Sequence, residues 1–199
     1  MHTSLQKLNL IKIKVNEIVN KKQLKTKPNI IVVSKKFSLD KIKPLIDDGH
    51  IHYGENQIQE AEFKWSNTKN IDNKLQLHMI GKLQTNKAKR AVKLFDYIHS
   101  LDNEKLALKI SKCQKELNKK IKLFIQININ NEDQKTGIMI NELKDFYESL
   151  INDLKVNVIG LMCIPAVDSD TKESFGLMKK LSNKIGTQEL SMGMSADYL

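Results

Sequence analysis

Helix and strand patterns alternate along this chain of 199 residues, and this alternation predicts an α/β fold built on a parallel sheet. Seven strand-like segments, separated by helical ones, favour a TIM-type (β/α)8 barrel over an open sheet. A barrel of this type needs eight strands and typically about 250 residues. The barrel is therefore expected to be truncated before its eighth strand. An extra helix precedes the first strand, and we expect a single domain over residues 1–199.

The helices are predicted from apolar residues that recur three or four positions apart. The N-terminal helix covers residues 4–20, and a basic linker from Lys21 to Pro28 separates it from the first strand. Ser38 is expected to cap the next helix, and Gly49 to end it, because glycine adopts the left-handed conformation easily. Later caps are expected at Asp102 or Asn103 and at Asp168 or Ser169.

The strands are predicted from β-branched runs and from alternation of apolar and polar residues. Their expected bounds are Asn29–Ser34, His50–Tyr53, Leu75–Gly81, Tyr97–Leu101, Ile121–Ile129, Val156–Cys163 and Glu189–Gly193. The first contains four consecutive β-branched residues, which is typical of a strand buried on both faces of a parallel sheet.

Lys35 directly follows this first strand. The carboxyl ends of strands are where open α/β sheets and barrels bind their ligands. Desolvation disfavours the charged form of a lysine there, so its amine can attack a carbonyl group or form a Schiff base with an aldehyde cofactor. The alternative is that Lys35 only marks the end of the strand and points into water.

The net charge of +10 raises the question of a nucleic-acid partner. Arg90 is the single arginine, although arginine is the preferred residue for phosphate recognition. One dense basic cluster exists, formed by Lys82, Lys87, Lys89, Arg90 and Lys93. We interpret it as a solvated helix face rather than a polyanion site, and expect no nucleic-acid partner.

No apolar run reaches the length of about 18 residues needed to span a bilayer, and no signal peptide is recognisable. Cys113 and Cys163 stand alone, without metal-ligand spacing. His50 and His52 share a face but lack a third ligand, so no metal is expected. These features predict a cytoplasmic protein without a membrane partner.

Short segments at the predicted strand ends are the most informative motifs. They read VVSKK, YGENQIQE, HMIGKLQTNKAK, KTGI, GLMCIP and LSMGMSAD. In this order, from about Ile31 to Asp197, they closely resemble the pyridoxal phosphate homeostasis proteins. The glycine-rich and Walker loops of nucleotide-binding proteins, the zinc motif HExxH and the serine-hydrolase motif GxSxG do not occur.

The resemblance implies a barrel like the N-terminal domain of alanine racemase. It also implies pyridoxal 5′-phosphate (PLP) held as a Schiff base on Lys35, without known turnover, in vitamin B6 homeostasis. The implied partners are PLP and PLP-requiring apo-enzymes, with the protein acting as a monomer. The residues that match the family's cofactor pocket are Lys35, Asn56, His78, Met162, Ser191, Gly193, Met194 and Ser195.

Within that pocket, Ser191, Ser195 and the backbone at Gly193 are expected to donate hydrogen bonds to the phosphate. Asn56 and His78 are expected to face the ring, and Met162 to pack against it. Met192 is instead expected to fill the core. The family continues with a further helix and a last strand that carries a glycine-rich phosphate segment, and this sequence does not contain them.

The sequence leaves two alternatives open. One is a racemase-like PLP enzyme, which needs acid and base groups on both faces of the substrate carbon. The other is a degenerate fragment that binds polyanions weakly through the Lys82 to Lys93 cluster.

Overall fold

The computed structural model describes residues 3–129, 136–166 and 169–194. They form one seven-stranded sheet in which every neighbouring pair is parallel and the strands follow chain order. The strands are β1 (Val32–Val33), β2 (His52–Glu55), β3 (Gln76–Met79), β4 (Tyr97–Leu101), β5 (Lys122–Gln126), β6 (Val158–Met162) and β7 (Glu189–Ser191). The prediction of a parallel α/β fold with seven strands is confirmed.

Helices connect the strands and cover one face of the sheet. They are α1 (Thr3–Lys21), α2 (Leu39–Asp47), α3 (Ile58–Ile71), α4 (Ala88–Leu94), α5 (Glu104–Glu116), α6 (Leu143–Glu148) and α7 (Thr171–Ile185). A 3₁₀ turn, Thr85–Lys87, precedes α4, and a π-helical turn, Ser149–Asp153, extends α6. The predicted N-terminal helix is α1, which begins one residue earlier and ends one residue later than expected.

The sheet curls so that its other face becomes a concave interior. His99 on β4 hydrogen-bonds Ser191 on β7 at 2.7 Å, although these strands are three positions apart in the sheet. Leu77, Ile98 and Leu123 point the opposite way, into the apolar core beneath the helices, and are fully buried. Every second residue of a strand therefore points into the interior, where polar side chains such as His99 lie.

The first strand differs most from its prediction. Only Val32 and Val33 form β1, and Val33 is 39% exposed. The prediction of a strand buried on both faces was therefore wrong. The reason is position: among the described residues β1 is an edge of the sheet, paired with β2 alone. Its inner side faces the open interior instead of a second packed layer.

The second strand begins two residues later than predicted because His50 completes the end of α2. The His50 N–H donates to the Leu45 carbonyl oxygen at 3.0 Å, and Gly49 adopts a φ of 85° in the turn between them. The prediction of Gly49 as the helix-ending residue is confirmed. Ser38 has the extended backbone of a cap, but its side chain makes no capping hydrogen bond.

The structure identifies the capping residues of two later helices, α5 and α7. The Asn103 side chain accepts from the Leu106 N–H at 2.9 Å at the start of α5, which selects it over Asp102. At the start of α7 the cap is Asp170, whose carboxylate accepts from Lys172 N–H at 2.7 Å. The prediction of Asp168 or Ser169 was therefore wrong. The Ser169 hydroxyl instead donates to Ala166 in the preceding turn, and Asp168 lies outside the described residues.

Candidate functional site

Several residues predicted to bind a cofactor lie where strands end. Lys35 follows β1, Asn56 follows β2, Met162 ends β6 and Ser191 ends β7. All strands are parallel, so these ends form a single rim of the curled sheet. Barrels of this type bind ligands at that rim.

Lys35 lies in the turn after β1 and is exposed, so the expectation of a desolvated amine is wrong for this structure. The preceding side chain, Ser34, points toward the helices and donates to Glu55 Oε1 at 2.7 Å. Val33, the last residue of β1, alternates with Ser34 and therefore faces the interior, and Lys35 follows in the turn at the rim of the sheet. Val33 is 39% exposed, so the interior beside Lys35 is open. The role of Lys35 as the cofactor lysine stays a prediction.

A buried ion-pair cluster holds the turn after β1. Lys64 Nζ, from α3, donates to Glu55 Oε1 at 2.8 Å and to Glu60 Oε1 at 3.0 Å. It also donates to the Ser34 carbonyl oxygen at 2.6 Å. Glu55 Oε1 accepts further from Trp65 Nε1 at 2.9 Å. We call this cluster the clasp; its members are Ser34, Glu55, Glu60, Lys64 and Trp65.

The clasp fixes the backbone on both sides of Lys35. On one side it binds Ser34, and on the other Glu60 accepts a hydrogen bond from the Lys36 N–H. Lys36 itself adopts a left-handed φ of 65°. Burial raises the pKa of Glu60. Hydrogen bonds from Lys64 and from the Lys36 N–H to its carboxylate outweigh this effect, so the pKa lies below its ordinary value. The charged carboxylate therefore keeps this turn in place.

Three histidines form a hydrogen-bonded chain across the interior. His52 Nδ1 lies 3.0 Å from His78 Nε2, and His78 Nδ1 lies 2.9 Å from His99 Nε2. His99 Nδ1 in turn lies 2.7 Å from Ser191 Oγ. These residues, here called the histidine chain, connect β2, β3 and β4 with the rim end of β7. His78 is thus a buried, fully hydrogen-bonded histidine within the interior.

Aromatic rings hold the two inner members of the histidine chain. Tyr97 stacks on His78 with centroids 4.2 Å apart and planes 13° apart. Phe124 stacks on His99 with centroids 4.3 Å apart and planes 21° apart. Lys122 Nζ donates to the Tyr97 hydroxyl at 3.0 Å. The stacking fixes both ring planes, so each nitrogen keeps one defined partner.

Burial of these rings makes stability depend on pH. Burial lowers the pKa of His78 to about 2 and that of His99 to about 3, whereas both titrate near pH 6.5 in an unfolded chain. Below about pH 6.5 the unfolded chain therefore binds protons that the folded chain does not bind.

We expect the free energy of unfolding to fall by about 2 kcal/mol per ring from pH 7 to pH 5. Urea unfolding followed by circular dichroism at pH 7, 6 and 5 measures it. Equal stability at pH 7 and pH 5 would contradict the buried, neutral state of the two rings.

Asn56 at the end of β2 is held by a close approach of backbone. A Cβ atom on Gly81 would lie 2.4 Å from the Asn56 carbonyl oxygen, closer than atoms can pack. Ser100 Oγ donates to the Gly81 carbonyl oxygen at 2.7 Å and fixes this segment further. Glycine at position 81 is therefore required to bring the exit of β3 against Asn56.

The remaining predicted residues lie along β6 and after β7. Met162 is buried at the end of β6, and Met192 packs against the core, which confirms the core-filling interpretation of Met192. Gly193 is exposed with a left-handed φ of 89°, and Met194 is half-buried. Ser195 lies outside the described residues.

Two of the five residues of the basic cluster form ion pairs on the protein surface. Arg90 donates from Nε to Glu62 Oε1 at 2.9 Å, and Lys89 pairs with Glu116 at 2.8 Å. Both positive groups are exposed and neutralised by carboxylates of neighbouring helices. This arrangement supports the solvated helix face over a polyanion site.

Two classes of feature are not found in the part of the chain that the structure describes. No group of three or more His, Cys, Asp or Glu side chains is arranged to hold a metal ion. None of the helices within residues 3–129, 136–166 and 169–194 is both long and apolar enough to cross a membrane.

The comparisons with known proteins agree with one another. The family model described as "Alanine racemase, N-terminal domain" matches residues 8–199. The pyridoxal phosphate homeostasis protein of Buchnera aphidicola is 33% identical over an alignment that covers 96% of this chain and 86% of that protein.

Two solved structures extend the comparison. PipY of Synechococcus elongatus, solved with PLP bound, has 30% sequence identity and a TM-score of 0.76, covering 92% of this chain and 91% of that one. Alanine racemase of Clostridium difficile has 14% identity and a TM-score of 0.68, with 93% of this chain and 50% of that chain covered. The second likeness concerns the fold alone, and it matches the predicted TIM-type barrel.

Proposed function

Because this chain belongs to the pyridoxal phosphate homeostasis proteins, we propose that it binds PLP through Lys35 and serves vitamin B6 homeostasis. The observation that carries this proposal is the position of Lys35. Lys35 is exposed at the rim where β1 ends, on a turn that the clasp holds from both sides. The Lys35 amine can condense with the cofactor aldehyde, forming one C=N bond and releasing one water molecule.

The chemistry of the rim fits the other parts of the cofactor. When bound, PLP supplies an aldehyde, a phosphate group and an aromatic ring. We propose that Ser191 and the backbone at Gly193 hold the phosphate, with Ser195 beside them. Asn56 would lie beside the ring, and Met162 and Met194 would pack around it.

His78 takes part differently from the other pocket residues. Both of its ring nitrogens already bind histidines, at 3.0 Å to His52 and at 2.9 Å to His99. We therefore propose that His78 acts on the cofactor only through these neighbours and not by a direct hydrogen bond.

We propose further that the protein holds and releases PLP without turning over a substrate. The exposure of Lys35 supports release, because water and other amines can reach a linkage made there. PLP-requiring apo-enzymes are the proposed recipients, and the protein acts as a monomer.

One continuous sheet and one apolar core support a single domain over residues 1–199.

The test is absorption spectroscopy with chemical trapping. Titration of the purified protein with PLP is expected to produce a visible absorption band of a lysine-bound aldehyde. Reduction with borohydride, digestion and mass spectrometry should then locate the label on Lys35. A colourless protein in excess PLP, or a label on another lysine, would contradict the proposal. Exchange of the α-proton of alanine in deuterated water would contradict the absence of turnover.

A further inference from the structure

The histidine chain has a property that a single buried histidine lacks. A neutral imidazole carries one N–H, so one of its nitrogens donates and the other accepts. His78 and His99 each use both nitrogens for partners within 3.0 Å. Once one hydrogen in the chain is placed, all the others are therefore fixed in the same direction.

Only two arrangements satisfy every link. In the first, each ring carries its hydrogen on Nδ1, and His99 donates to Ser191 Oγ. In the second, each ring carries its hydrogen on Nε2, and the Ser191 hydroxyl donates to His99 Nδ1. In the first arrangement the Ser191 hydrogen is free for a ligand, whereas in the second a ligand meets only lone pairs of Ser191 Oγ.

Burial keeps the chain in its neutral form. His78 is 4% exposed and His99 is 1% exposed, and burial lowers the pKa of both rings far below neutrality. Burial, followed by the charge of Lys122, also lowers the pKa of His52 at the outer end. Tyr97 stacks on His78 and Phe124 on His99, and this stacking opposes a ring flip that would exchange partners.

We propose that His52, His78 and His99 act as positioning residues, which set Ser191 as a hydrogen-bond donor to the phosphate group of a bound ligand. This inference rests on the proposed function, since it takes the rim at Ser191 as the phosphate side of the PLP site. An anionic phosphate accepts hydrogen bonds and cannot donate them at full charge, so it selects the first arrangement. Through the chain, that choice also sets the tautomer of His52, two rings away.

Affinity for PLP and for pyridoxal, which lacks the phosphate, separates positioning from a merely structural role. Both aldehydes report through the same absorption band of lysine-bound cofactor. We expect His99→Phe, which keeps a ring against Phe124, to lower PLP affinity about tenfold more than it lowers pyridoxal affinity. Without His99 the Ser191 hydroxyl is free to turn away from the phosphate, and a tenfold loss corresponds to losing most of one hydrogen bond to a charged group.

A conservative variant provides the matched control. The side-chain amide of His99→Asn lies near the place of Nδ1 and can still donate to Ser191, so it should keep the preference for PLP over pyridoxal. Equal losses of PLP and pyridoxal affinity in His99→Phe would overturn the inference.

A measurement on the unchanged protein covers the case in which a variant fails to fold. Nitrogen-15 spectra of histidine-labelled protein distinguish Nδ1–H from Nε2–H tautomers. With PLP bound, we expect all three rings in the Nδ1–H form. A ring of the chain in the Nε2–H form would overturn the inference while PLP binding itself still supports the proposed function. Absence of any PLP band in the unchanged protein would overturn both.

Discussion

Replacing Lys35 with alanine is expected to abolish the visible absorption band of the PLP-bound protein and the borohydride label. The reason is chemical, because alanine has no amine to condense with the aldehyde. Stability should change by less than about 0.5 kcal/mol, since Lys35 is exposed and away from the core. Absorption spectra, mass mapping and urea unfolding measure the three quantities.

The neighbouring lysine supplies the control for this experiment. Lys36 is also exposed, and its backbone N–H, not its side chain, hydrogen-bonds Glu60. Lys36→Ala should therefore keep the absorption band. A band that survives Lys35→Ala, or that disappears equally in Lys36→Ala, would contradict the assignment of the reactive amine.

The second large effect is expected at Lys64 in the clasp. Lys64→Ala leaves the Glu55 carboxylate buried without a cation, because the Glu55 side chain is fully buried and pairs with Lys64 at 2.8 Å. Removing one partner of a buried ion pair costs about 3–5 kcal/mol. We expect a loss of that size in the free energy of unfolding, measured by urea unfolding followed by circular dichroism.

Two further variants define what the clasp contributes. Lys43→Ala removes an exposed pair with Asp47 on α2 and should cost about 0.5 kcal/mol or less. Lys64→Met combined with Glu55→Gln removes both charges and should recover most of the stability. A loss of less than 1 kcal/mol in Lys64→Ala would show that the buried pair is not required.

Sequence patterns predicted the sheet well because its strands alternate with helices along the chain. Ile121, Leu123 and Ile125 alternate in sequence and are all fully buried, as expected from their period of two. The length and burial of β1 were not predictable in this way. Four β-branched residues indicate extended chain, but only the three-dimensional position shows that β1 lies at an edge with one neighbour.

The candidate site was predicted in part, because the predicted strand ends place some of its residues. Lys35, Asn56 and Ser191 could be placed at one rim, since each follows or ends a strand. The histidine chain was missed, because His52, His78 and His99 are far apart in sequence and meet through the pairing register of neighbouring strands. The contact of His99 with Ser191 requires, in addition, the curl of the sheet. One sequence signal was available. His99 lies two residues after Tyr97 in β4, so both side chains point to the same face of the sheet.

The clasp was missed for lack of any pattern. Glu55 ends a strand and Lys64 lies in the following helix, nine residues later. Lysine and glutamate are rarely buried, so burial of this pair is not the expected outcome from sequence. Their meeting depends on the angle at which α3 packs on β2, and no spacing rule encodes that angle.

The shortness of β1 has a consequence for local opening. With two residues in its ladder, β1 has few backbone hydrogen bonds to protect it, and such a segment exchanges its amide hydrogens sooner than a central strand. Salt-bridged side chains of α3 supply the anchoring that a longer ladder would otherwise give. The segment that carries Lys35 is thus held by a helix as much as by the sheet, and its opening breaks the pairing of β1 with β2 alone.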